Sequence, residues 1–311
     1  MASKKNKKQK GLYNKYSSIL WGLFVLSIIG VMTLFGGAAL GFYGPMPDLQ
    51  QLENPRTNLA SQIISSDGEI LGKYYFDENR TPIGFDEIPT NMVEALIATE
   101  DERFYDHSGI DWLGTLRAFA FLGKRGGAST ISQQLARQIF VGVRSRSLIK
   151  TILQKAQEYV IAVQLEQRYT KKEILSMYLN KYDFGYQADG IRSAAKIFFN
   201  KTPKELNIEE SATLVGMLKN SSYFNPIRRP ERVKARRNIV FQQLLRNQLI
   251  SKREKDSLDQ LPLVINFTPE SHREGLATYF RAYLKEFMDI WIDKNIKPDG
   301  TKHNLYRDCL L

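Results

Sequence analysis

Fourteen residues, Ala98 to Asp111 (ATEDERFYDHSGID), hold Glu100, Asp101, Glu102, Asp106 and Asp111 together with His107, one of three histidines in the chain. If helical periodicity continues from the apolar stretch before them, Val93, Ile97, Glu100 and Phe104 share one stripe. Glu100 then projects from an apolar face, and Asp101 points to the side. A carboxylate set in an apolar wall has its charged form disfavoured, the condition under which a glutamate moves protons near neutral pH. The same spacing also suits a plain helix end in which Glu100 pairs with Arg103. His107 and Asp111 read as residues that fix the loop.

Three further stretches could carry chemistry. Gly126-Gly127-Ala128-Ser129-Thr130-Ile131-Ser132-Gln133-Gln134 sets two glycines and hydroxyls before a helical run, so backbone N–H groups at a helix start offer an anion seat. It is no P-loop, because Lys124 precedes the glycines. A plain glycine turn with a capping serine fits equally. Gln133 and Gln134 are polar groups able to hydrogen-bond a sugar. Lys155 and Glu158 stand three apart in TILQKAQEYVIAVQLEQRY, either as an ordinary ion pair or as a carboxylate beside a cation that faces a pyrophosphate. The run from Tyr178 through Asn180, Gly185 and Gly190 to Phe199 reads as scaffold.

The elements that must position these residues are mainly α, with a small β element. Residues 44–58 read as a proline-rich connector. SQIIS and EILGKYYF flank Ser66-Asp67-Gly68 as a hairpin. Thr90, Thr170-Lys-Lys-Glu173, Thr202-Pro-Lys-Glu205 and Asn207 to Glu210 read as helix starts between Pro89 and Asn247. Six cationic residues then fall between Arg228 and Arg237, fitting a solvated face or a phosphate contact equally. Residues 262–311 read as a less regular segment carrying Tyr279, Phe280, Tyr283, Phe287 and Trp291. Cys309 is the only cysteine, which excludes disulfides and cysteine metal sites.

The opening sixteen residues contain six lysines and no acid, and no charge occurs between Lys15 and Asp48. Ile19 to Phe42 is long and apolar enough to cross a bilayer. The lysines place the N-terminus on the cytoplasmic side and the residues after Tyr43 outside. A retained anchor fits better than a signal peptide, whose apolar core is usually about 7–15 residues. The net charge of +11, six of it in the arm, leaves a mildly basic outer part suited to anionic lipid or a phosphate-bearing substrate. Nucleic acid is not expected there.

Taken in order, the stretches resemble the peptidoglycan glycosyltransferases, the lipid II polymerases, which form one half of class A penicillin-binding proteins. The likeness covers about residues 85–245. It rests on Glu100-Asp-x-x-Phe104-x-x-His107-x-Gly109, Gly127-Ala-Ser-Thr-x-x-Gln-Gln134, Lys155-x-x-Glu158, Tyr178-Leu-Asn180, Asn225-Pro226 and Arg236-Arg237. Arg137 stands where the family often has lysine, and Gln154 where an arginine often precedes Lys155. The resemblance implies a mainly α, lysozyme-like domain over 85–250. Before it come a basic arm (1–18), a membrane anchor (19–43) and a linker with hairpin (44–84); after it, 251–311 leads toward a transpeptidase domain.

It further implies lipid II and a growing glycan strand as substrates, membrane lipids as neighbours, and cell-wall synthesis machinery as partner. Residues 110–122 would belong to a membrane-dipping subdomain. Glu100 would be the general base and stay unpaired. Lys155 and Arg137 would stabilise the departing pyrophosphate, and Glu158 would orient Lys155 or a divalent cation, Mg or Mn. Ser129, Thr130, Gln133, Gln134 and Asn180 would meet substrate, alongside Asp101, Phe104 and His107. Two rival readings are a lytic transglycosylase or lysozyme-type hydrolase, and a non-catalytic membrane-anchored scaffold. Ser147-x-x-Lys150 and Ser193-x-x-Lys196 match a transpeptidase serine motif by chance, since no K-T-G accompanies them.

Overall fold

Two groups of helices meet around Glu100 and Lys155. The structure, a computed structural model, describes residues 2–47, 52, 61–68, 70–74, 81–121, 129–269, 278–297 and 300. Helix α1 (Ala2–Ala39) runs unbroken from the basic arm through the apolar span. Tyr16–Ala39 is long and apolar enough to cross a membrane, with none of its most apolar stretch buried. The expected hairpin forms: β1 (Ser61–Ile64) pairs antiparallel with β2 (Ile70–Tyr74), around Gly68 at φ 88°.

The first helical group is α2 (Thr90–Glu100), α8 (Ile208–Met217) and α9 (Pro230–Arg246), packed on one another. Every residue of α8 from Ser211 to Met217 is buried, so small side chains there let its neighbours close in. Pro89, not Thr90, occupies the N-cap of α2, and no side-chain cap forms there. Asn207 and Glu210 do make the reciprocal cap of α8. The second group is α4 (Ile131–Ala136), α5 (Leu148–Arg168) and α6 (Lys171–Lys181), with α6 started by the Thr170–Glu173 box. Helix α7 (Ile191–Phe199) begins after Gly190, where a Cβ would meet the Asn180 carbonyl at 2.6 Å. Thr202 to Glu205 closes only a single 3₁₀ turn.

Helix α10 (Lys252–Gln260) packs on α9, and the irregular stretch after it returns to α7. The Asn266 and Thr268 amides donate to the Phe198 and Ile197 carbonyls, and Phe267 packs on Tyr186 and Phe198. The chain after 250 thus keeps contact with α7 and Tyr186 as far as Thr268. The segment expected to be irregular contains α11 (Thr278–Lys294), with Tyr279, Phe280, Tyr283 and Phe287 exposed.

The end of α1 packs against α5, where Phe35 and Tyr159 meet edge to face at 5.9 Å. Helix α3 (Trp112–Ala120) leaves Trp112, Leu113 and Leu116 exposed, and the start of α5 leaves Leu148 and Ile149 exposed.

Candidate active site

Glu100 ends α2, and the chain turns sharply at Asp101. The loop beyond this turn is bonded to the start of α4. Asp101 is buried and accepts the Ile131 amide at 2.9 Å and faces His107 Nε2 at 3.1 Å. The Gly109 carbonyl accepts from Thr130 Oγ1 at 2.7 Å and from Gln133 Nε2 at 3.1 Å. Gly109 itself sits at φ 89°, with Ala162 O only 2.8 Å from where a Cβ would stand. A side chain there would push the loop off α5.

This bonding corrects one expectation. The anion seat at the start of α4 is already filled by the chain's own Asp101 carboxylate. Gly126, Gly127 and Ala128, the glycine part of that motif, lie outside the described residues. Asp111 holds Arg103 at 2.5 Å and the Gly114 amide at 2.9 Å. Burial works against the Asp111 carboxylate, but these two hydrogen bonds outweigh it and hold it below the usual carboxylate range. Arg103 is thus engaged by Asp111 and not by Glu100.

Glu100 is not unpaired as expected, nor is its wall apolar. Its Oε2 accepts from Gln134 Nε2 at 3.0 Å, and Oε1 lies 3.7 Å from an Arg236 nitrogen, with 15% of its side chain exposed. Gln134 in turn accepts from the Tyr178 hydroxyl at 3.0 Å. Burial pushes the Tyr178 phenol well up, and Glu100's charge adds to it, so the hydroxyl stays a donor. Tyr182 is likewise pushed up to about 12 by burial and donates to the Met217 carbonyl. The separation of 3.7 Å to Arg236 is too long for a hydrogen bond, so Oε1 is held near a cation without being capped by it.

The second half of the site centres on Lys155. Its ammonium donates to Glu158 Oε2 at 2.7 Å, Ser129 Oγ at 3.0 Å and Gln133 Oε1 at 3.1 Å. Burial depresses Lys155, Glu158 opposes that, and the charges of Arg144 and Arg137 add to the depression. Arg137 also opposes the upward push on Tyr178, so its charge is felt in both halves. It opens a π-helical turn, Arg137–Val141, that closes on Gly142. Such turns often mark functional sites. The positive group facing Glu158 is Lys155's own ammonium. One carboxylate, a hydroxyl and an amide oxygen are gathered around this ammonium. Among the described residues no cluster of three metal-binding side chains occurs.

The adjacent glutamines of α4 divide the work: Gln133 serves Lys155 and Gln134 serves Glu100. Ser129 and Arg137 are partly exposed beside this pair. Thr130, Gln133, Asp101 and Phe104 are buried beneath it and bonded or packed to the protein itself. His107 is largely buried, its Nδ1 without a partner. Asn180 lies elsewhere, its side chain pairing with both backbone groups of Ile83 at 2.8 and 3.1 Å. Gln154 closes the loop before α5 by bonding Val143 and Ser145. Two residues near Glu100 had no expected role there: Tyr178, read as scaffold, and Arg236, seen only as half of an arginine pair.

Two adjacent glutamines of α4 thus hold a carboxylate from the end of α2 and an ammonium from α5. The family described as Transglycosylase matches residues 67–245. The chain belongs to this family. It therefore carries a transglycosylase domain over the stretch where its motifs lie. Penicillin-binding protein 1A of Escherichia coli K12 is 39% identical over 241 residues, covering 75% of this chain and 28% of that protein. Penicillin-binding protein 1A of Vibrio cholerae is 39% identical over 272 residues, covering 85% and 31%. Penicillin-binding protein 1A/1B of Bacillus subtilis is 33% identical over 311 residues, covering 96% and 33%. The chain thus spans about a third of the length of these relatives. A solved structure of penicillin-binding protein 1A from Haemophilus influenzae aligns at 22% identity and a TM-score of 0.41, over 79% of this chain and 26% of that one.

Proposed function

We propose that this domain polymerises lipid II into glycan strands at the outer face of the cytoplasmic membrane, with α1 as anchor and its lysine-rich start inside. The exposed apolar side chains of α3 and the start of α5 dip into the same bilayer, so the lipid-linked substrates meet the site from the membrane. Membrane lipids are its neighbours, and cell-wall synthesis machinery is its partner.

Glu100 takes the proton from the 4-hydroxyl of the acceptor GlcNAc through Oε1. The acceptor's 4-oxygen, freed of its proton, attacks C1 of the donor MurNAc, the bond from C1 to the pyrophosphate oxygen breaks, and polyprenyl pyrophosphate leaves. Attack opposite the leaving group inverts C1 to a β-1,4 link. Ser129 accepts from Lys155, which turns its own O–H toward a pyrophosphate oxygen. Lys155 and Arg137 offset the charge that develops there. Glu158 keeps Lys155 oriented and charged.

The observation that carries this reading is that α4 bonds a half-buried ammonium through Gln133 and a carboxylate through Gln134. A hydrolase that cleaves finished glycan has no use for that ammonium. Lipid II polymerisation in detergent tests it, with wild type beside Glu100→Gln and Glu158→Gln. Glu100→Gln should lose at least about 100-fold in rate. Equal glycan yield from that variant would reject Glu100 as the base, and consumption of finished peptidoglycan in place of lipid II would reject the polymerase reading.

A further inference from the structure

The basic run from Arg228 to Arg237 is divided by the fold. Arg237 is buried and donates to the Leu261 and Pro262 carbonyls at 2.6 and 3.0 Å. Arg236 faces Glu100. Arg228, Arg229 and Arg232 remain exposed, and no acidic side chain pairs with them among the described residues. Each guanidinium lies instead over an aromatic ring. Arg228 sits 5.9 Å from the Tyr186 centroid, Arg229 5.4 Å and Arg232 4.7 Å from that of Tyr223. Arg236 stands 5.9 Å from Phe224, whose ring meets Tyr223 edge to face at 4.9 Å.

Arg229, Arg232 and Arg236 are spaced i, i+3 and i+7 at the start of α9, so they form one stripe roughly 10 Å long that ends at Glu100. Like charges at this spacing repel, and stacking on the rings holds the guanidinium planes while leaving most of their N–H donors available. Such a fork is built for carboxylates.

We propose that this arginine–aromatic ladder is a binding track for the carboxylate-bearing glycan strand as it leaves Glu100. The inference rests on the polymerase reading, under which the growing strand carries peptide carboxylates at regular intervals. Anionic lipid would also suit arginines. The ladder, however, is continuous with the reacting centre, and α9 packs on α2, α8 and α10 while the membrane helix packs on α5.

The test uses the whole chain in detergent. Arg229→Gln/Arg232→Gln removes the charges, Tyr223→Ala removes the stacking platform, and Arg253→Gln, an exposed arginine of α10, is the control. Three readouts are taken: the length of glycan made from lipid II, binding of a soluble peptide-bearing glycan fragment with free or amidated carboxylates, and binding of phosphatidylglycerol vesicles. The double variant should make strands about half as long and bind the free-carboxylate fragment about fivefold more weakly, in line with two exposed charge contacts. Tyr223→Ala should fall between it and wild type, Arg253→Gln should match wild type, and amidated fragment should not distinguish any of them. Unchanged strand length and fragment binding would overturn the track, as would a loss confined to vesicle binding. If wild type consumes no lipid II, the polymerase reading fails, while the fragment-binding difference still decides the track.

Discussion

The two halves of the site hold their charged groups in opposite ways. Lys155 is saturated, with three acceptors within 3.1 Å around a half-buried ammonium. Glu100 has one short neutral contact and one cation at 3.7 Å, which leaves an oxygen with room for a substrate hydroxyl. A group that works by its field gains from being fixed in advance, since no reorganisation is then needed as charge develops. A group that must receive a proton has to keep an acceptor position open. The contrast matches the two roles proposed for these groups.

Glu100→Gln, with the largest expected effect on rate, breaks the open half and should leave the melting temperature close to that of wild type. Glu158→Ala breaks the saturated half. It leaves a half-buried ammonium without its carboxylate, so a stability loss of about 2 kcal/mol is expected by chemical denaturation. The same change should show in the pH–rate profile. Glu158 holds Lys155 up against burial, so its removal lowers Lys155 further, and the alkaline limb of activity should move to lower pH. An unmoved limb would mean that Lys155's charge does not serve the reaction.

Tyr178→Phe sharpens the comparison by loosening Glu100 through its relay. Gln134 loses a buried donor, and kcat should fall about tenfold, the equivalent of one hydrogen bond, with KM little changed. Asp111→Asn gives the smallest effect. The depressed Asp111 carboxylate contributes stability above its unfolded-state value, and this is lost as pH falls through the lower folded value. Wild type should therefore lose up to about 1 kcal/mol on acidification that Asp111→Asn has already lost at neutral pH. Parallel pH–stability curves for the two proteins would refute that assignment.

Much of the scaffold is legible in the chain because its signals are local. The Thr170–Glu173 and Asn207–Glu210 boxes start helices where read, and Asp67-Gly68 turns the hairpin. Thr90 misleads because Pro89 precedes it: the proline takes the cap and Thr90 becomes the first helical residue. Lys155 and Glu158 pair as expected since one helical turn suffices to bring them together. The apolar stripe through Glu100 fails for the converse reason. The helix stops at Glu100, Phe104 falls in a separate 3₁₀ turn, and α4 and α9 supply the polar neighbours.

Helix periods, caps, the membrane-length apolar span and the Lys155–Glu158 pair were determined by residue spacing alone, because each depends on groups within a few residues of one another. Only the tertiary structure decided that Asp101 fills the start of α4, that Gln134 and Arg236 attend Glu100, and that the arginine run separates into a buried brace and an exposed stripe. Those contacts join elements far apart in the chain. Their geometry is set by how α2, α4, α5 and α9 pack together, which no local spacing encodes.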